Sequence, residues 1–315
     1  MSEEKEFKWQ VFLFILLAAV VVFIVGLILI VTGYNTYFNY LYYGDALLYT
    51  IFSAISYLGE PVPLIIVILI LWYAYDKKFA KNLGLSLLGS YYFSSILKDL
   101  FKDPRPATNL DETGYGFPSS HAHNAVAAWG YIANEAYDKK NKYIPVIAII
   151  LIYLISISRV IIGVHDIQDI WGGALYGMLF LTIFILLEPT VSKKINTLNL
   201  TLKLVLAIVI PIVLFAIALL VFPATVGAYG LICGAFLGLT CGYLIEGEYI
   251  KYNPSELNMK NKVINIVIGI VFTLVLYLGL SFVPLDIQIW DFIQYFIITI
   301  ILVSLLPWLF TKINK

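Results

Sequence analysis

Three short polar motifs interrupt an otherwise apolar chain: Lys98 with Arg105-Pro106, then Pro118-Ser119-Ser120-His121, then Ser158-Arg159 followed by His165 and Asp169. Lys98, Arg105 and Arg159 offer three fixed cations to a dianionic phosphoryl group, and each guanidinium can present a two-pronged fork to its oxygens. His165 and Asp169 stand four positions apart, so on a helix beginning near Asp166 they share a face. Asp169 then accepts the proton on one imidazole nitrogen, fixes the tautomer and leaves the other nitrogen free to attack phosphorus. A carboxylate partner is also expected to raise the basicity of His165 and to stabilise the cation that attack creates. This reads His165 as the nucleophile. His121, presented at the start of a helix, is the natural general acid for the departing oxygen and later the base for water.

Ser119 and Ser120 follow Pro118 at that same helix start, where hydroxyls and unpaired backbone N–H groups cap the helix and equally form an anion site. His123 lies two residues beyond His121, faces away from it and reads as structural. The two cysteines, Cys233 and Cys241, read as buried thiols, and with only three histidines in the chain no zinc site is expected.

The elements that must position these residues are membrane helices. With 61% hydrophobic and 13% charged residues over 315 positions, the composition lies outside that of soluble domains, and the apolar runs exceed the length needed to cross a bilayer. Ten spans are predicted, near residues 9–33, 51–75, 80–101, 119–137, 143–163, 167–188, 203–222, 226–246, 262–283 and 289–310. The first reads as a retained anchor helix, its apolar run being longer than that of a signal peptide. Threaded alternately, the spans place 16 of the 20 Lys and Arg residues on one side, leaving Lys98, Lys102, Arg105 and Arg159 on the other. The positive-inside rule then puts both termini in the cytoplasm and the motifs on the non-cytoplasmic face, with the plasma membrane as the expected location. Zero net charge argues against a nucleic-acid partner, since binding a phosphate backbone needs a concentrated basic surface.

In order and internal spacing the three motifs resemble those of the type 2 phosphatidic acid phosphatase superfamily. That family includes lipid phosphate phosphatases, polyprenyl diphosphate phosphatases, glucose-6-phosphatase and the vanadium haloperoxidases. The resemblance implies an all-α, polytopic helix bundle. Its six-helix phosphatase core would occupy 1–188, with a four-helix C-terminal extension of unassigned role over 189–315. It implies a metal-independent phosphatase without cofactor, in which Lys98, Arg105, Ser119, Ser120 and Arg159 bind phosphate. His165 would be the nucleophile, Asp169 its orienting partner and His121 the leaving-group acid. Ser120 departs from the family's usual glycine at that place and resembles the sphingoid-phosphate phosphatase branch, as does the length of the tail.

The expected substrate is a membrane lipid phosphate or diphosphate of the polyprenyl, phosphatidylglycerol phosphate, phosphatidate or sphingoid class. An aromatic first loop, Tyr34, Tyr37, Phe38, Tyr40, Tyr42 and Tyr43, would settle at the headgroup layer beside the entrance, and the 106–117 loop with Asp111 and Glu112 would overhang the site. Phosphotransfer to an alcohol acceptor and a lipid transporter with a phosphate-binding site are the alternatives. Gly230, Gly234, Gly238 and Gly242 recur at every fourth residue, a smooth strip that serves packing within the monomer or a homodimer seam.

Overall fold

The computed structural model describes residues 45–108, 112–281 and 287–314, together with Val283 and single positions between residues 13 and 32. The aromatic first loop and Asp111, and most of the expected first span, lie outside the described residues. The described chain is helical: α1 (Ala46–Tyr57), α2 (Pro61–Ala74), α3 (Lys77–Phe101), α4 (Ser120–Asp138), α5 (Tyr143–Ile161), α6 (Ile167–Asn196), α7 (Leu200–Val221), α8 (Tyr229–Ile245), α9 (Met259–Ser281), α10 (Gln288–Ile300) and α11 (Leu306–Ile313). Among the described residues, seven helical stretches are long and apolar enough to span a bilayer, which makes this a multi-pass membrane protein. Of the expected spans, those matching α3 and α4 are long but fall outside this set, because they carry the polar residues that the site uses.

The expected span at 51–75 falls within one apolar stretch, Ala46–Ala74, that is built of two helices. Before Pro61 the chain tightens into three-residue turns, with the N–H of Leu58, Gly59 and Glu60 bonding the carbonyls of Ile55, Ser56 and Tyr57 at 3.1, 2.9 and 3.0 Å. Pro61 lacks an N–H and its fixed φ suits the first turn of a new helix, so α2 starts there.

The chain groups into two compact units. The first contains residues 1–63 and 89–190, the second 64–88 and 191–315.

In the first unit, α6 meets the segment leading into α4 through residues that have no side chain. A Cβ on Gly172 would stand 2.3 Å from the Phe117 ring, one on Gly173 2.4 Å from the Ser119 carbonyl oxygen, and one on Gly177 2.8 Å from that of His123. These glycines let two backbones approach as closely as side-chain-free surfaces allow. Phe117 is buried between Phe101 and Tyr176, its ring edge-on to both at 4.7 and 6.4 Å.

On α3 a polar stripe is buried among apolar neighbours: Ser90 and Ser94 are fully buried and precede Lys98 at four-residue steps. Ser90 Oγ lies 2.6 Å from His123 Nδ1 and donates to Asn124 Oδ1 at 2.6 Å, while Ser94 Oγ lies 2.8 Å from Ser120 Oγ.

The second unit has its own core, in which Trp72, Tyr73, Leu302, Leu306 and Phe310 are nearly inaccessible. A one-turn π-bulge at Ile301–Leu305 joins α10 to α11, and the Leu302 carbonyl accepts from the Tyr73 hydroxyl at 2.7 Å. Lys77 Nζ pairs with the buried Glu246 carboxylate at 2.7 and 2.8 Å. The glycine strip on α8 is filled within the chain, since Cβ atoms on Gly230 and Gly234 would meet the backbone carbonyl oxygens of Gln288 and Phe292 on α10 at 2.0 and 2.1 Å. Cys233 and Cys241 are free and buried.

Candidate active site

The third motif takes its shape from the end of α5. Gly163 has φ 85°, a left-handed conformation that costs glycine little, and His165 N–H bonds back to the Arg159 carbonyl at 3.2 Å. The chain therefore folds over the last turn of α5 and sets His165 immediately before α6. There His165 Nδ1 meets Asp169 Oδ2 at 2.9 Å, and both side chains are 1% exposed. The Asp166 N–H donates to the same carboxylate oxygen at 3.0 Å. Asp169 also serves the second motif, because its carbonyl accepts from the Ser119 N–H at 2.9 Å.

Nε2 of His165, on the far side of the ring, lies 3.3 Å from the Arg105 guanidinium. A guanidinium can only donate, so Nε2 is the lone-pair nitrogen and Nδ1 carries the proton toward Asp169. The sequence reading expected Asp169 to raise the basicity of His165. Burial outweighs that, and Lys98, Arg105, Arg159 and His121 add to it, so the pKa is held well below its ordinary value and the ring is neutral. Nearby, burial and the carboxylate of Asp103 push Asp166 up to about 7.

Arg105 is fixed by three carbonyl contacts, one to Val164 at 3.0 Å and two to Thr113 at 3.1 and 3.0 Å. Arg159 reaches from α5, donating to Ser56 Oγ at 2.6 Å. Between the two guanidinium groups sits the Glu112 carboxylate, with Oε1 2.5 Å from Arg159 and Oε2 3.3 Å from Arg105. Burial alone would raise the Glu112 pKa, but Arg159 and Arg105 hold it below the usual carboxylate value. Lys98 Nζ donates to the carbonyls of Tyr115 and Gly116, closing the same loop from the α3 side. Ser119 occupies the N-cap position of α4, yet its hydroxyl makes no capping bond and is buried without a partner among the described residues. A buried hydroxyl in that state is free to bond an oxyanion.

His121, in the first turn of α4, contacts Glu60 Oε1 through Nε2 at 2.8 Å. Glu60 lines a pocket of about 150 Å³ together with Ser56, Glu112, Arg159, Ile162 and Val164. The three motifs are thus gathered in the first unit. Ser120 is turned to Ser94 and His123 to Ser90, so His123 is structural as the sequence reading had it. Glu60 and Ser94 escaped that reading. A signal existed for each: Glu60 is the one charged residue between Ala46 and Ala74, and Ser94 belongs to a series of small polar residues spaced by four.

The sequence matches the model of the PAP2 superfamily over residues 79–193, and over residues 230–315 that of a PAP2 superfamily phosphatase transmembrane extension. It is 31% identical over 141 residues to phosphatidylglycerophosphatase B of Bacillus subtilis (strain 168), covering 41% of this chain and 70% of that protein. Lipid phosphate phosphatase delta of Arabidopsis thaliana is 27% identical over 146 residues, which are 40% of this chain and 34% of the relative. A dihydrosphingosine 1-phosphate phosphatase of Schizosaccharomyces pombe is 31% identical over 103 residues, which are 28% of this chain and 25% of the relative. Among solved structures, a transmembrane PAP2-type phosphatidylglycerolphosphate phosphatase from Bacillus subtilis aligns with TM-score 0.46 and 24% identity, over 55% of this chain and 96% of that one.

Proposed function

The chain belongs to the PAP2 superfamily and is a phosphoric ester hydrolase of the membrane, and we propose that it dephosphorylates a lipid phosphate or diphosphate through a phosphohistidine at His165. One observation carries the reading. Nδ1 of His165 is held by Asp169, and the opposite nitrogen faces a guanidinium that already shares an anion, the Glu112 carboxylate, with Arg159.

A phosphoryl group entering the site takes the place of Glu112 between Arg105 and Arg159, with Lys98 and the Ser119 hydroxyl as further donors. Nε2 attacks phosphorus, Asp169 compensates the imidazolium that forms, and His121 protonates the departing oxygen. Water then attacks the phosphohistidine with His121 as base, releasing inorganic phosphate. The charges that neutralise the phosphate in this scheme are side chains, so the reaction is proposed to be metal-independent. The names of the relatives support an amphiphilic substrate, a lipid phosphate of which phosphatidylglycerol phosphate and sphingoid phosphate are the named examples. The distribution of Lys and Arg supports a site on the non-cytoplasmic face of the membrane, with both termini inside.

The test is inorganic phosphate release by the detergent-solubilised protein, with chelator present, across lipid monophosphates and diphosphates. Release that disappears in His165→Ala supports the proposal and ranks the substrates. A folded wild-type protein that releases no phosphate from any of them would redirect the reading to transfer onto an alcohol or to lipid transport.

A further inference from the structure

Glu60 interrupts an otherwise uncharged apolar stretch, Ala46–Ala74, and an ionisable group in such a stretch is costly to keep. It stands in the tight turn between α1 and α2, and that turn is pressed against His121. A Cβ on Gly59 would lie 3.3 Å from the imidazole Cδ2 and 2.6 Å from Ile155 Cγ2, so the absence of a side chain at 59 is what admits the approach. The Glu60 carboxylate then reaches His121 Nε2 at 2.8 Å.

We infer that Glu60 is the positioning residue of the leaving-group acid: it holds the Nε2–H of His121 and leaves Nδ1 to serve the departing oxygen. The inference rests on the phosphohistidine reaction proposed above. Within that reaction the site contains two imidazole–carboxylate pairs of opposite sense. Asp169 holds His165 by Nδ1 so that Nε2 acts, and Glu60 holds His121 by Nε2 so that Nδ1 acts. Glu60 also lines the pocket that contains Arg159 and Glu112, which places the pair beside the phosphate-binding guanidinium. Burial and the positive charge of Arg159 oppose a second cation at His121, and the negative charge of Glu60 offsets part of that opposition.

In the first step the His165 Nε2 lone pair forms the N–P bond while the P–O ester bond breaks. The electron pair of that bond stays on the leaving oxygen, which takes the Nδ1 proton of imidazolium His121. Glu60 keeps its hydrogen bond to Nε2–H throughout, and His121 is left neutral. In the second step water adds to phosphorus, its proton passes to His121 Nδ1, and the N–P electron pair returns to His165. Both histidines are then as they began.

The experiment compares Glu60→Gln with wild type in kcat/KM on two esters, a lipid alkyl phosphate and p-nitrophenyl phosphate. An alkoxide needs protonation as it leaves and a nitrophenolate does not, so only the first depends on a well-placed acid. We expect a loss of about 10- to 100-fold on the alkyl ester, a fraction of what general acid catalysis supplies, and less than about threefold on the aryl ester. Equal losses on both esters would make Glu60 a structural residue, and no loss on either would remove it from the reaction. His165→Ala, run alongside, tests the underlying reaction by itself. Turnover absent on both esters supports the phosphohistidine, and turnover retained overturns it together with the role of Glu60.

Discussion

In the proposed reaction a substrate phosphate takes the place that Glu112 holds between Arg105 and Arg159, and the competition between the two has a calculable size. Its carboxylate makes one close contact to Arg159 at 2.5 Å and a longer one to Arg105 at 3.3 Å, with 32% of the side chain exposed. A buried hydrogen bond to a charged group contributes about 1.5–3 kcal/mol and a solvent-exposed ion pair about 0.2–1 kcal/mol. With a third of the side chain in water, the pair of contacts falls between these limits, at about 1–2 kcal/mol. An incoming anion must first displace this internal one, so its apparent affinity is lowered by the matching factor, about 5- to 30-fold. Glu112→Gln keeps the shape of the side chain and removes its charge. The inhibition constant of inorganic phosphate, measured as competition against p-nitrophenyl phosphate hydrolysis, is therefore expected to fall by up to that factor. A constant unchanged within about twofold, or one that rises, would refute the view that Glu112 stands in for phosphate.

Asp169→Asn is expected to lower kcat by about 10³- to 10⁴-fold, a barrier increase of about 4–5.5 kcal/mol, because the amide no longer fixes the tautomer or compensates the imidazolium. The same change removes a negative charge from a buried site that also holds Asp103 and Asp166, so the thermal midpoint in detergent should stay equal or rise. Gly173→Ala, whose Cβ would stand 2.4 Å from the Ser119 backbone oxygen, should lose about 1–3 kcal/mol of stability and most activity. Gly279→Ala, with nothing within 4 Å, should be neutral or stabilising in the same melting assay. Because burial, reinforced by the basic groups Lys98, Arg105, Arg159 and His121, holds the His165 pKa well below 6.5, the proposed nucleophile stays neutral as pH falls through 6.5. The acid limb of kcat/KM, which reports the free enzyme, is therefore expected below that pH, and a limb at or above 6.5 would contradict the environment described.

His165 and Asp169 were legible because their relation is local: a four-residue step at a helix start is a distance that any helix enforces. Lys98, Arg105 and Arg159 stood out by type and place, and the structure brings both guanidinium groups to one carboxylate. The placement of Glu112 was not legible, because a loop carboxylate between two guanidinium groups depends on how α5 and the 102–117 segment meet. Glu60 pairs with a histidine 61 positions away, a contact without sequence periodicity. The break between α1 and α2 was masked by uninterrupted hydropathy, although Gly59-Glu60-Pro61 marks it. The polarity of α3 and α4, which lowers their resemblance to membrane spans, is the same property that delivers Ser94, Lys98, Ser119 and His121 to the site.

Asp169 grips His165 with its side chain and the Ser119 N–H with its main chain, so the proposed nucleophile and one proposed donor of the anion cradle are tied to one turn of one helix. Bilayers differ in thickness, and membrane helices answer by tilting. When α6 tilts, these two contacts draw His165 and the start of α4 along with it, which favours keeping Ser119 in register with the imidazole. Lipid composition is then expected to act more on how readily a substrate reaches the site than on the bond-making step.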